Sequence, residues 1–213
     1  MLPHTHKFIP ASISRSLALG ALGALLAGCI TTTDGPSQEV AEGPWVMASP
    51  LLQSNIDMHL ELLPYLQSLS QFQAEIGFFV KVGEPGYPAM LDLIENGDTK
   101  TAGIALSVIS STGDVRLVPY LKKIPWPAED QRLARYERAR CHVSLGDWGP
   151  MDILLEGLRD EGLWPRALTF KTLRKVTNHT FGYRPQEEDR AIREAAASRW
   201  DEWYEGIQAD ALR

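Results

Sequence analysis

Gly146-Asp147-Trp148, echoed by Gly113-Asp114-Val115 and by Gly83-Glu84-Pro85, is the phrase on which the fold turns. Each glycine closes an apolar-periodic stretch. Each phrase leads into a short segment with paired aliphatics: Leu91 and Ile94, Leu117 and Leu121, Leu154 and Leu158. The glycines lie 30 and 33 residues apart, and Pro88, Pro119 and Pro150 stand at intervals of 31. A period of roughly 30 to 35 residues with two helical segments per unit marks stacked helical repeats, because one helical pair cannot bury its own apolar face.

The stretches on either side read as helices. Leu66, Leu69, Phe72, Ile76, Phe79 and Val80 follow spacings of three and four, with Pro64 in the first turn and a shorter helix carrying Ile56, Leu60 and Leu63 before it. Pro88 opens a helix that stops at Gly97. Asp98 caps the next, to Ser111, and Asp114 another, to about Ile124, where Pro125-Trp126-Pro127 breaks the chain. Further helices are expected from about Glu129 to Leu145, Pro150 to Arg159, Pro165 to Thr177 and about Glu187 to Ile207. No stretch alternates as a strand does. The expected fold is all-α. Residues 48–82 form an N-terminal helical pair, and residues 83–213 form a short right-handed α-solenoid of helical hairpins closed by a capping helix.

The phrase Val143-Ser144-Leu145-Gly146-Asp147-Trp148, followed after a short helix by Trp164-Pro165-Arg166-Ala167-Leu168, resembles a HEAT-type repeat of the bilin-lyase-like bacterial variety. Val176-Thr177-Asn178-His179-Thr180-Phe181-Gly182-Tyr183, followed by Trp200-Asp201-Glu202-Trp203, is similar to the closing segment of HEAT-repeat lipoproteins. The resemblance covers roughly residues 75 to 207. It implies helical hairpins and a binding scaffold with a protein partner, not a reaction. The paired His-Glu dipeptides that hold iron in HEAT-like hydroxylases are absent from this sequence.

The first 29 residues hold no acidic side chain, and Lys7 and Arg15 precede an apolar run rich in Leu, Ala and Gly. That run is shorter than the about 20 residues a membrane-spanning helix needs and has the pattern of a signal peptide. Its end, Leu26-Ala27-Gly28-Cys29, resembles a bacterial lipobox. The resemblance implies a diacylglyceryl group on the Cys29 thiol and an acylated N-terminus at Cys29. With Ile30 rather than aspartate next, it implies an outer-membrane address in a diderm host. Residues 30–47 are expected to be a flexible tether, since Thr31 to Pro44 offer almost nothing to bury.

Without Lys7 and Arg15 the 21 Lys and Arg become 19 against 27 acids, a net charge of −8. Such a surface argues against nucleic acid, including the basic groove of HEAT-like DNA glycosylases, and against electrostatic binding to anionic lipid. With Cys29 acylated, Cys141 stands alone and no intramolecular disulfide is available. Adjacent Cys141 and His142 point about 100° apart on a helix, so they do not chelate one ion, and neither a metal nor a cofactor is expected. His142 occupies the repeat position of Ile109 and Leu173, which suits a partly buried histidine donating to a neighbour.

Two constellations remain. Ile192, Ala196, Trp200, Trp203 and Ile207 make one stripe of the last helix, and with Phe181, Gly182 and Tyr183 they are expected to cap the open end of the solenoid. Arg132, Arg135 and Arg138 step by three along one helix, the candidate ridge for contact with a partner. The expected function is a membrane-tethered, non-catalytic interaction scaffold of the cell envelope. The alternatives are a ligand-binding protein or enzyme using the concave face, or a structural subunit of an envelope complex.

Overall fold

The computed structural model describes residues 43–211. The expected signal peptide, the expected lipobox at Cys29 and most of the expected tether lie outside them. Among the described residues there are nine α-helices and no strand. They are α1 (Pro50–Leu62), α2 (Leu69–Val82), α3 (Tyr87–Asn96), α4 (Thr99–Thr112), α5 (Val118–Lys123), α6 (Arg132–Ser144), α7 (Met151–Gly157), α8 (Leu163–Thr177) and α9 (Arg190–Ala211).

Local chemistry sets the boundaries. Ser68 Oγ accepts from the Gln71 amide, and Gln71 Oε1 accepts from the Ser68 amide, so α2 starts at Leu69. Pro64 therefore lies in a separate 3₁₀ turn, Leu63–Tyr65, instead of opening α2 as expected. Asp98 caps α4 by accepting from the Thr101 amide at 2.8 Å. Gly83, Gly113 and Gly146 take φ of 68°, 68° and 86°, a left-handed geometry that glycine enters without a Cβ penalty. That conformation is why the repeated phrases begin with glycine. The acid after each glycine then binds its surroundings. Asp114 and Glu84 both hold Arg116 at 2.6 Å, linking two successive phrases, and Asp147 holds Lys122 and His142.

Helices α2, α4, α6 and α8 pack in succession. α4 lies against α2 on one side and α6 on the other, and α6 lies against α8. α3 pairs with α4, and α7 covers both α6 and α8. One core runs from Trp45 through Phe79, Met90 and Ile109 to Cys141 and Leu145. A second gathers Ala139, Val143, Leu154, Leu173, Tyr183 and Trp200. Helix α6 supplies residues to both.

The N-terminal boundary differs from the expected one. Trp45, within the expected tether, is buried in the first core, with ring centroids 5.0 Å from both Tyr87 and Tyr120. The Val46 amide donates to Glu84 Oε2 at 3.0 Å. One large indole suffices to fasten a strand of otherwise unremarkable composition, so the ordered body begins before residue 48.

Candidate functional site

Helices α4 and α6 face each other across small side chains. Ala102 and Gly103 come from α4, Ala134 comes from α6, and a hollow of about 160 Å³ opens between them. Pro125 and Pro127 wall one end, Leu106 lies in the floor, and Leu133 stands at the lip, 42% exposed. A Cβ built on Gly103 meets nothing within 4 Å, so the groove exists partly because that helix-interior position lacks a side chain. A second, open hollow of about 320 Å³ shares Thr99, Leu133 and Ala134 and continues past Asp130 and Asp160 to Pro165. Together they form one trough, apolar at the proline end and polar at the other.

The polar groups along it are mostly engaged. Burial raises the Glu137 carboxyl above the ordinary carboxylate range, against the pull of Arg140, whose Nη1 donates to it at 2.5 Å. Arg140 also donates to Thr172 Oγ1 at 2.9 Å, tying α6 to α8. Asp160 Oδ2 receives Tyr136 Oη at 3.2 Å and Arg132 at 3.1 Å, and burial beside this carboxylate pushes the Tyr136 phenol up to about 12.

The three arginines expected to make a contact ridge do not share a surface. Arg132 is exposed and paired with Asp160. Arg135 donates to the Pro127 carbonyl at 3.4 Å. Arg138 is 2% exposed: it donates to the carbonyls of Leu121 and Ile124, and its Nε donates to His142 Nε2 at 3.2 Å. The physical reason is helical phase. A step of three residues falls 60° short of a full turn, so the row spirals from solvent into the interior by its third member. Arg138 caps the C-terminal carbonyls of the short α5 and lies over the Trp126 ring at 5.9 Å. Burial lowers its pKa to about 10, which leaves it charged at neutral pH.

His142 sits in the same buried array, stacked on Trp126. Because Nε2 accepts from Arg138, the ring proton is assigned to Nδ1, which donates to Asp147 Oδ2 at 2.9 Å. Burial lowers the His142 pKa, with Asp147 opposing. Cys141 beside it is fully enclosed, its thiol pushed up to about 12 by burial. Among the described residues no group of three His, Cys, Asp or Glu is placed to hold a metal ion.

Of the residues expected to cap the last repeat, Ala196, Trp200, Trp203, Phe181 and Tyr183 come together, whereas Ile192 is 54% exposed and lies outside the cluster. Trp200 has no exposed surface and lies edge-on to Phe181 at 4.8 Å and Trp203 at 5.7 Å. Tyr183 is buried and donates its hydroxyl to the Leu158 carbonyl. Phe181 and Gly182 take φ of 46° and 74°, turning the chain so that Phe181 and Tyr183 both face inward. Trp203 is half-buried against Trp148 and His179.

Of the trough's lining, sequence reading singled out Arg132 and Arg138 as contact residues but not the trough itself. Its one signal was Gly103, a glycine inside a helical pattern with no turn to explain it. Compared with protein-family models, with curated proteins and with solved structures, the chain finds no match.

Proposed function

We propose that the chain is a membrane-tethered, non-catalytic interaction module whose hairpins stack as a HEAT-like α-solenoid and hold a protein partner in the trough between α4 and α6. The observation that carries the reading is the trough itself: small side chains on two stacked helices, proline walls, an exposed leucine lip, and polar neighbours already bonded to one another. That is a surface for an apolar segment, and its charged groups have little left to offer a reaction. The α2–α4–α6–α8 row, covered by α3 and α7, supports the solenoid. The lipobox ending at Cys29 supports the tether, with the outer membrane as destination in a diderm host.

Gly103→Leu projects a side chain into the trough from a position where a Cβ meets nothing within 4 Å. Wild-type and Gly103→Leu full chains, solubilised from the envelope in detergent and cross-linked, form the test. A partner captured by the wild type and lost from the plugged variant is expected; equal capture by both would refute the trough as the site. Cys29→Ser is expected to leave the membrane fraction or to accumulate as precursor. Maturation and fractionation like wild type would remove the tether from the reading.

A further inference from the structure

Among the described residues most cations are spoken for. Arg116, Lys122, Arg132, Arg140 and Arg159 meet carboxylates, and Lys100, Arg138, Arg166, Arg193 and Arg199 cap carbonyls. Lys171, Arg174 and Lys175 do neither. All three are exposed on α8, around a concave patch completed by Phe170 and Asn178, with no carboxylate in its lining. From Gly162 to Gln186 the sequence contains no Asp or Glu, although the whole chain has 27. Like charges three and four residues apart on a helix repel, so the cluster is maintained at some cost to the free protein.

The same face carries an aromatic. At 100° per residue Trp164 falls within about 20° of Lys171 and Lys175. Trp164 is 64% exposed, and its neighbour Leu163 is 53% exposed. A helix face with an outward tryptophan and three unpaired cations has the makeup of an interfacial membrane contact, in which the indole sits at headgroup level and the cations meet phosphate. The tether proposed above would keep a bilayer within reach of this face, which favours phospholipid over an acidic polypeptide as its occupant.

We infer that the outward face of α8, through Trp164, Lys171, Arg174 and Lys175, seats the domain on an anionic phospholipid surface. The inference takes its setting from the membrane-tethered reading above. The net charge of −8, read from the sequence as an argument against anionic lipid, is overridden by the local charge of this face. At physiological ionic strength charges beyond about 8 Å are screened, so a bilayer reads the nearest residues and not the total. Three cations near an anionic surface favour contact by on the order of 10²-fold, enough at physiological ionic strength to orient a protein already held there and, at low salt where screening is weaker, to draw the unanchored domain onto vesicles measurably.

The test uses residues 30–213, which keep every described contact and carry no lipid, in co-sedimentation with vesicles of phosphatidylglycerol and phosphatidylcholine or of phosphatidylcholine alone. Partition onto the anionic vesicles at about 50 mM salt, abolished by about 500 mM, is expected. Lys171→Glu with Lys175→Glu is expected to reduce it at least about 10-fold. Trp164→Ala is expected to weaken it while leaving its salt dependence intact. Lys81→Glu with Arg190→Glu changes the net charge equally at two exposed cations elsewhere and is expected to change it less than about 3-fold. Equal loss in both doubles, equal binding to uncharged vesicles, or binding of poly-glutamate without binding of anionic vesicles would each overturn the inference. Because no lipid anchor is present in the assay, its outcome is independent of whether Cys29 is acylated.

Discussion

Replacing Trp200 by alanine should cost the domain a large part of its stability. The indole has no exposed surface, so its whole apolar area returns to water or lines a void. Truncation of a buried tryptophan costs about 3–5 kcal/mol. Trp200 makes edge-on contacts with Phe181 and Trp203, each worth about 0.5–1.5 kcal/mol beyond area. The upper part of the range, about 4–5 kcal/mol, is therefore expected. No hydrogen bond is lost, because Trp200 Nε1 has no partner. At about 2–4 °C per kcal/mol for a chain of this size, the melting midpoint should fall by roughly 8–20 °C. Calorimetry or circular dichroism on residues 30–213 reads it. Trp200→Phe keeps the ring in place and loses only volume, so it should fall by less than half as much, which preserves the test if the alanine variant does not fold. A midpoint within about 2 °C of wild type for Trp200→Ala would refute the burial argument, since exposed truncations cost less than about 0.5 kcal/mol.

His142 has a folded pKa below its ordinary value, so the unfolded chain takes up the proton first as pH falls. Its contribution to stability should be complete above about pH 6.5 and decline below it, by at most about 1.4 kcal/mol per pH unit, and His142→Gln should flatten urea midpoints measured between pH 7.5 and 5.5. A wild-type profile parallel to that of the glutamine variant would contradict the burial of His142. Cys141 should resist thiol reagents in the native protein and react on unfolding; rapid native labelling would show that the site opens. Trp45→Ala should cost about 3 kcal/mol and expose residues 43–49 to proteases, with unchanged cleavage rates counting against its role in fastening the N-terminal strand.

The helical character and most boundaries were legible because they depend on local chemistry. Gly113 and Gly97 end helices where backbone geometry or capping demands it, and Asp98 begins one. The start of α2 was harder. Pro64 is permitted both at a helix start and in a 3₁₀ turn, and only the Ser68–Gln71 pair decides between them. Arg138 was misread because a sequence row with a step of three looks like a ridge on paper, whereas the helix rotates it inward. Its partners, the carbonyls of Leu121 and Ile124, carry no sequence signal. Trp45 was missed for the opposite reason: composition averaged over a window conceals a single large anchor. The trough was invisible because it consists of side chains that are small, and small residues in helices usually mean nothing.

Helix α6 lends Cys141, with Leu145 just past its end, to the core that includes Trp45, and Ala139 and Val143 to the core that includes Trp200. Two cores joined along one helix need not melt as one. If the C-terminal core opens first, α6 keeps its other face covered and the N-terminal half retains a reason to stay folded. If α6 itself unwinds, both halves lose a wall at once. Cooperativity in this protein is thus concentrated in thirteen residues, Arg132–Ser144. Whether the chain unfolds in one transition or two depends on how firmly that single helix couples its neighbours.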